Sequence, residues 1–196
     1  MSESENPTSV DDTVVDLGTV DNGFGRREDD DGSTREDSIV MDLPEIEKDS
    51  AGIPTFVFQD QLSEDDRPTR DKKTLEVVLL WREAVMTVGH YSQPGPITIG
   101  DAKNAVFRIS ADGIPVDNFH LLDGHGDGFA INWTDSMALE VRDASGDILG
   151  REELESGNKI RKASLDGANT YAYTIDLGDR VALQVGEVTF VIQYVS

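Results

Sequence analysis

The chain has 196 residues, of which 39 are acidic and 17 basic, for a formal net charge of −22. That balance excludes unaided binding to nucleic acid, which needs clustered cations to neutralise phosphates, and the most basic stretches, 67–73 and 159–162, are short. There is no cysteine, so disulfides, thiolate metal sites and cysteine nucleophiles are excluded as well.

Anionic membrane surfaces are disfavoured on the same electrostatic ground. Acidity instead suits solubility and basic protein partners, and high internal salt in a host favours the same composition. The start of the chain, MSESENPTSVDD, has neither the basic nor the apolar region of a secretory signal. No run approaches the roughly 18 apolar residues of a membrane span. The expectation is a soluble, cytoplasmic protein without a cofactor.

The character of the chain changes near Lys73. Residues 1–73 hold 21 acids and 8 bases, and residues 74–196 hold 18 acids and 9 bases. Over 1–50 short apolar groups such as Val14-Val15 and Ile39-Val40-Met41 sit among Asp, Glu and Ser. Such a segment buries too little area to offset its ordering entropy, which predicts a disordered acidic arm over 1–73. Within the arm, 51–59 (AGIPTFVFQ) is an apolar island. It reads as a linker piece, as a segment that docks on an exposed sheet edge, or as one that folds onto its own domain. Residues 60–73 return to charge and read as linker.

From Thr74 the pattern is that of strands. LEVVLLW at 75–81 suits a buried strand, and 83–91 follows it as a hairpin. The SQPGP loop at 92–96 precedes strands at 97–100 and 106–110. Strands at 119–122 and 129–133 flank DGHGDG, read as a long turn, and 137–142 alternates again. Residues 151–157 read as a short helical turn before a basic segment. Strands at 171–177, 179–185 and 188–195 close the chain. About nine to eleven short strands predict an all-β, antiparallel sandwich over 74–196.

Motifs for catalysis are missing: there is no serine elbow, no phosphate-binding glycine loop and no histidine pair at metal-ligand spacing among His90, His120 and His125. The chain is therefore expected not to be an enzyme. Asp123-Gly-His125-Gly-Asp127-Gly128 has the opening of a calcium loop, but Thr134 stands where the bidentate glutamate belongs, and a turn explains the same residues. A calcium- or sugar-binding sandwich using Asp123, Asp127 and an exposed Trp133 is one alternative. In the arm, Thr8, Thr13 and Thr34 each have an aspartate three residues on, at Asp11, Asp16 and Asp37, while Thr19 has Asn22. These threonines are candidate phosphorylation sites whose product an arginine-bearing receptor would read.

Four stretches, ITIGDAKNAVFRIS (97–110), VDNFHLL (116–122), GDGFAINW (126–133) and DLGDRVALQVGEVTFVIQY (176–194), together resemble a forkhead-associated (FHA) domain. More narrowly, 74–196 is similar to the FHA-like domain that precedes a membrane helix in myxobacterial gliding-motility proteins of the AgmX/PglI and TonB-like kind. That helix is missing after Tyr194, as in a free-standing version or a truncated chain. The resemblance implies a β-sandwich that binds protein through loops at one end, here 100–104, 113–118 and 134–137, with Gly100, Asp101, Asn104, Asp117, Asn118, Thr134 and Ser136 as the binding-loop residues. A sheet edge is the other surface open to a partner. Phosphothreonine readers of that family carry Arg after the strand-ending glycine, where this chain has Asp101. They carry Ser three residues before the motif histidine, where it has Asp117, and Arg next, where it has Asn118. Their Asn-Gly pair has no counterpart near 134–136. Two carboxylates in place of phosphate ligands imply a degenerate site that has lost phosphothreonine. The expected function is a noncatalytic protein–protein interaction module, a scaffold or adaptor in a bacterial envelope, motility or signalling assembly. The alternative is phosphorylation-controlled signalling in which another FHA protein reads the arm.

Overall fold

The computed structural model describes residues 45–59, 61–165 and 167–196. The disorder expected before residue 45, and with it Thr8, Thr13 and Thr34, lies outside the described residues. Among those residues no helix is long and apolar enough to cross a membrane.

The folded body is the expected β-sandwich. One sheet contains β1 (Thr74–Trp81), β2 (Ala84–Tyr91), β7 (Ala138–Arg142), β8 (Ile148–Leu149), β11 (Arg180–Val185) and β12 (Val188–Val195), in the order β2-β1-β12-β11-β7-β8. The other contains β3 (Ile97–Gly100), β4 (Phe107–Arg108), β5 (Phe119–His125), β6 (Gly128–Trp133), β9 (Ile160–Leu165) and β10 (Ala168–Thr174), in the order β4-β3-β5-β6-β10-β9. Every pairing is antiparallel except the short parallel contact of β3 with β4. A short α-helix, α1 (Arg151–Ser156), falls where the helical turn is expected.

Alternation along each strand builds the core, because successive side chains point to opposite faces. Leu75, Val77 and Leu79 of β1 meet Val181, Leu183, Phe190 and Ile192 of the same sheet and Phe119, Leu121 and Ile131 of the other, all buried. Phe107 and Phe190 pack edge to face across the sheets, with ring centroids 5.6 Å apart.

The first sheet has a second, outward apolar face, and here the boundary expected at Lys73 moves. Residues 51–59 are not a linker piece. Ile53, Val57 and Phe58 are buried against Leu80, Val191 and Ala182, with Val78 and Ala138 packed alongside. The island folds onto the face of its own sheet instead of adding to an edge. Its shape is set locally. The Asp49 carboxylate accepts the amides of Ala51 and Ile53, each at 2.9 Å, and Gly52 supplies φ +87° for the reversal. A 3-10 turn over Thr55–Phe58 presents Val57 and Phe58 downward, and Arg142 of β7 donates to the Phe58 carbonyl. Each buried aliphatic or aromatic side chain contributes about 1.5–3 kcal/mol, which together with the Asp49 and Arg142 hydrogen bonds offsets the entropy of ordering the segment.

Smaller corrections follow from pairing. The long DGHGDG turn is a tight one: β5 runs on to His125, which pairs with Gly128, and the reversal uses Gly126 at φ +60° with Asp127. Of 106–110 only Phe107 and Arg108 form a strand. The strand expected at 171–177 starts earlier and ends sooner, at Ala168 and Thr174. β8 and the basic β9 carry the count among the described residues past the expected range.

Under the docked segment lies Glu140 of β7, a buried carboxyl. Burial first, then a hydrogen bond with Asp49 and the negative field of Asp49 and Glu153, raise its pKa from 4.5 to about 7. A carboxyl that holds its proton more tightly when folded stabilises fully below its unfolded pKa, and loses that contribution as pH rises through its folded pKa. The melting temperature should therefore fall between about pH 5 and pH 7, and Glu140→Gln should flatten that slope, with an effect on the order of 1 kcal/mol. Ile53→Ala should cost about 2–4 kcal/mol in urea denaturation, or less where only the segment detaches. Hydrogen exchange distinguishes the two, because detachment frees the amides of 51–59 alone.

Candidate interaction surfaces at the loop end and the free sheet edge

Gly100 ends β3 at φ +138°, a conformation that L side chains rarely adopt. A Cβ there would lie 2.2 Å from the Asp117 carbonyl oxygen, so the two loops touch through backbone. The amide of Ala102 donates to that same carbonyl at 2.8 Å, and the amide of Ile109 donates to the Gly100 carbonyl at 3.0 Å. The 113–118 loop is tied on its other side to 134–137. Ser136 Oγ donates to the Gly113 carbonyl at 3.0 Å and lies 2.8 Å from Thr134 Oγ1. Backbone and hydroxyl contacts thus connect the loops that carry Gly100, Asp101, Asp117, Asn118, Thr134 and Ser136. Asn104 is exposed on the turn that follows Asp101.

The chemistry of this end is acidic and shallow. A hollow of about 80 Å3 lies between the loops, lined by Gly100, Asp101, Asp117 and apolar or small neighbours, with no cation in its wall. Asp101 pairs instead with Arg108 at 3.5 Å, both side chains well exposed. Asn118 Oδ1 is buried without a hydrogen-bond partner. A phosphate entering here would meet two carboxylates.

The calcium- or sugar-binding alternative loses its parts. Trp133 is not exposed. It is 1% accessible, and the Tyr171 ring covers it with centroids 5.6 Å apart. Asp123 is engaged by His120 Nδ1 and by the Asn132 amide, each at 2.9 Å, and Asp127 pairs with Lys73 at 3.1 Å. His120 is therefore a hydrogen-bonded surface histidine, half held by Asp123. Among the described residues no group of three or more metal-ligating side chains converges.

The sequence offers a sheet edge as the other surface but not which strand forms it; the strand order makes it β2 of the first sheet. A free strand edge displays unpaired N–H and C=O groups and invites pairing, so edges are usually short, charged or covered. Three of the four edge strands here follow that rule. β4 and β8 have two residues each, and β9 carries exposed Arg161 and Lys162. β2 does not: it is eight residues long and bears no Asp, Glu, Lys or Arg. Val85 and Met86 are each 60% exposed, Val88 45% and Trp81, before the turn, 43%. Beside β2 a groove of about 520 Å3 opens between the two sheets, walled by Leu79, Trp81, Met86 and Thr87 on one side and by Val106, Phe107 and Ile109 on the other. Tyr91 forms its floor. Its ring covers Gly89, where a Cβ would meet the phenol oxygen at 2.7 Å, and burial raises the phenol's pKa. The sequence does carry a signal for this surface, since the stretch 84–100 is the longest in the chain without a charged residue.

No protein-family model, curated protein or solved structure matches the chain. Its surfaces are therefore read from their own geometry. Gly100→Ala should destabilise by at least about 2 kcal/mol, through strain and the clash with the Asp117 backbone. Asp101→Ala, which removes only an exposed ion pair, should stay within about 0.5 kcal/mol. Urea unfolding of both variants checks the contrast; equal losses would mean that the loop contact is not structural.

Proposed function

We propose that this chain is a noncatalytic protein–protein interaction module, of the scaffold or adaptor kind, which meets its partner through the apolar side of the sandwich at β2. The observation that carries the reading is the exposed, uncharged eight-residue edge strand on a chain of net charge −22. Monomeric proteins seldom leave a contiguous apolar patch uncovered unless a partner covers it.

The resemblance to FHA domains supports the same class of function with a different surface. In those domains the loop end reads phosphothreonine. Here the loop end is closed by backbone contacts, holds a hollow too small for a phosphorylated side chain, and carries Asp101 and Asp117 where cations would be needed. The phosphothreonine site is read as lost, and the edge takes the place of the loops as the contact surface. A bacterial envelope, motility or signalling assembly remains the setting that the narrower resemblance suggests.

Two measurements test the reading. Titration of the full chain with phosphothreonine peptides followed by aspartate three residues on should give no saturable binding; micromolar affinity would overturn the lost site. Affinity capture from the native host, followed by titration of the captured protein against the purified chain, should give a saturable complex. If every captured protein fails that titration, the module reading falls.

A further inference from the structure

The apolar groove is open along one side of the sandwich, and its rim is a strand with hydrogen-bonding capacity to spare. A β-bulge interrupts the β1–β2 pairing between Leu79 and Leu80, leaving Met86 without a partner residue. Beyond the bulge β2 is regular. Thr87, Val88, Gly89, His90 and Tyr91 pair in step with Leu79, Val78, Val77, Glu76 and Leu75. Alternate residues of such an edge turn their backbone N–H and C=O outward, so 87–91 offers a template for one more strand.

Charge decides what kind of segment fits. The strand itself is uncharged, but acids frame it. At one end of β2 the turn carries exposed Glu83 next to Arg82, whose guanidinium lies over the Trp81 ring at 5.9 Å. Glu187 accepts the Trp81 indole N–H at 3.4 Å, so two acids outnumber one base there. Glu76 stands at the other end, 3.1 Å from His90. The one cation in the groove wall, Arg108, is paired with Asp101. A second copy of this chain would bring another net −22 to the same edge, whereas a segment with basic flanks would be drawn toward it.

We infer that residues 87–91 receive an extended segment of a partner protein as a seventh strand of the first sheet. Its alternate apolar side chains enter the groove between β2 and β4, and its flanking lysines or arginines meet the acids at the two ends of β2. Main-chain hydrogen bonds supply attachment, and the groove selects β-branched or aliphatic side chains at every second position. This inference rests on the module reading and names its partner's chemistry.

The test uses the full chain and a synthetic peptide of sequence KKVTVTVKK. Trp81 lies in the groove wall and Trp133 is buried, so the fluorescence of the chain's two tryptophans reports on this site. Saturable binding by fluorescence and calorimetry is expected, weakened at least tenfold for EEVTVTVEE and for KKVTPTVKK, whose proline removes a ladder donor. The M86K/T87K double variant changes two exposed side chains that line the groove and should keep the wild-type melting temperature while losing at least tenfold in affinity. Failure of KKVTVTVKK to bind, equal binding of the acidic peptide, or full binding by the folded double variant would each overturn the inference. So would sedimentation showing a wild-type dimer that the double variant dissolves, since the occupant would then be a second copy. A host partner that binds wild type and double variant equally overturns the edge and leaves the module reading standing. Failure of every captured host protein to bind overturns the module reading itself.

Discussion

The antiparallel register of β1 against β12 is the constraint on which the other features rest. From Thr74 opposite Val195 to Trp81 opposite Val188, the two strands align without a break. This alignment turns Leu75, Val77 and Leu79 toward the other sheet together with Phe190 and Ile192, and turns Leu80 and Val191 outward as the seat for 51–59. A slip of one residue would exchange the two faces, leaving the inter-sheet core polar and the docked segment without a seat. The same register puts β1 next to last in the sheet, so that β2 is the edge.

A buried polar lock holds the opposite corner. Tyr173 donates to Asp179 at 2.6 Å, and the amide of Asp176 donates to the same carboxylate oxygen at 2.8 Å. Burial pushes the Asp179 and Tyr173 pKa values up, and the hydrogen bonds keep the carboxyl supplied with donors. Nearby on the outer surface, Arg151 lies over the Tyr171 ring at 4.1 Å and pairs with Asp135 at 2.6 Å. These polar contacts close the far side of the sandwich and leave the β2 side as its apolar opening.

Much of this was legible in the letters, and the failures have physical causes. LEVVLLW reads as a strand covered on both faces, and it is, but only because AGIPTFVFQ supplies the second cover; each run explains the other. Val88 and Met86 read as an ordinary hairpin strand, because exposure at an edge depends on the order of strands in the sheet, not on the strand's own composition. Trp133 reads as a surface platform beside a turn, whereas its partner Tyr171 comes from a strand distant in the chain. β9 escapes notice because IRKASL is an edge with charged side chains and lacks the apolar alternation that marks an inner strand. Gly100 and the two aspartates of the loop end are local features, so the turn and its charge need no knowledge of strand order.

The docked segment and β12 come from opposite ends of the described chain, and this bears on the order of events during synthesis. β12 is the last of the described strands to leave the ribosome, yet it forms the middle of the first sheet. Until it emerges, β1 has only its hairpin partner, and Ile53, Val57 and Phe58 have no Val191 beneath them. Pairings between distant positions close late and leave apolar runs open in the meantime. The stretch between 51–59 and β1 is dense in charge of both signs, with Glu64, Asp65, Asp66 and Asp71 beside Arg67, Arg70, Lys72 and Lys73, and lies where a charged spacer opposes self-association of a nascent chain. Charge that reads as a linker property of the finished protein thus also separates two apolar runs before the central strand arrives.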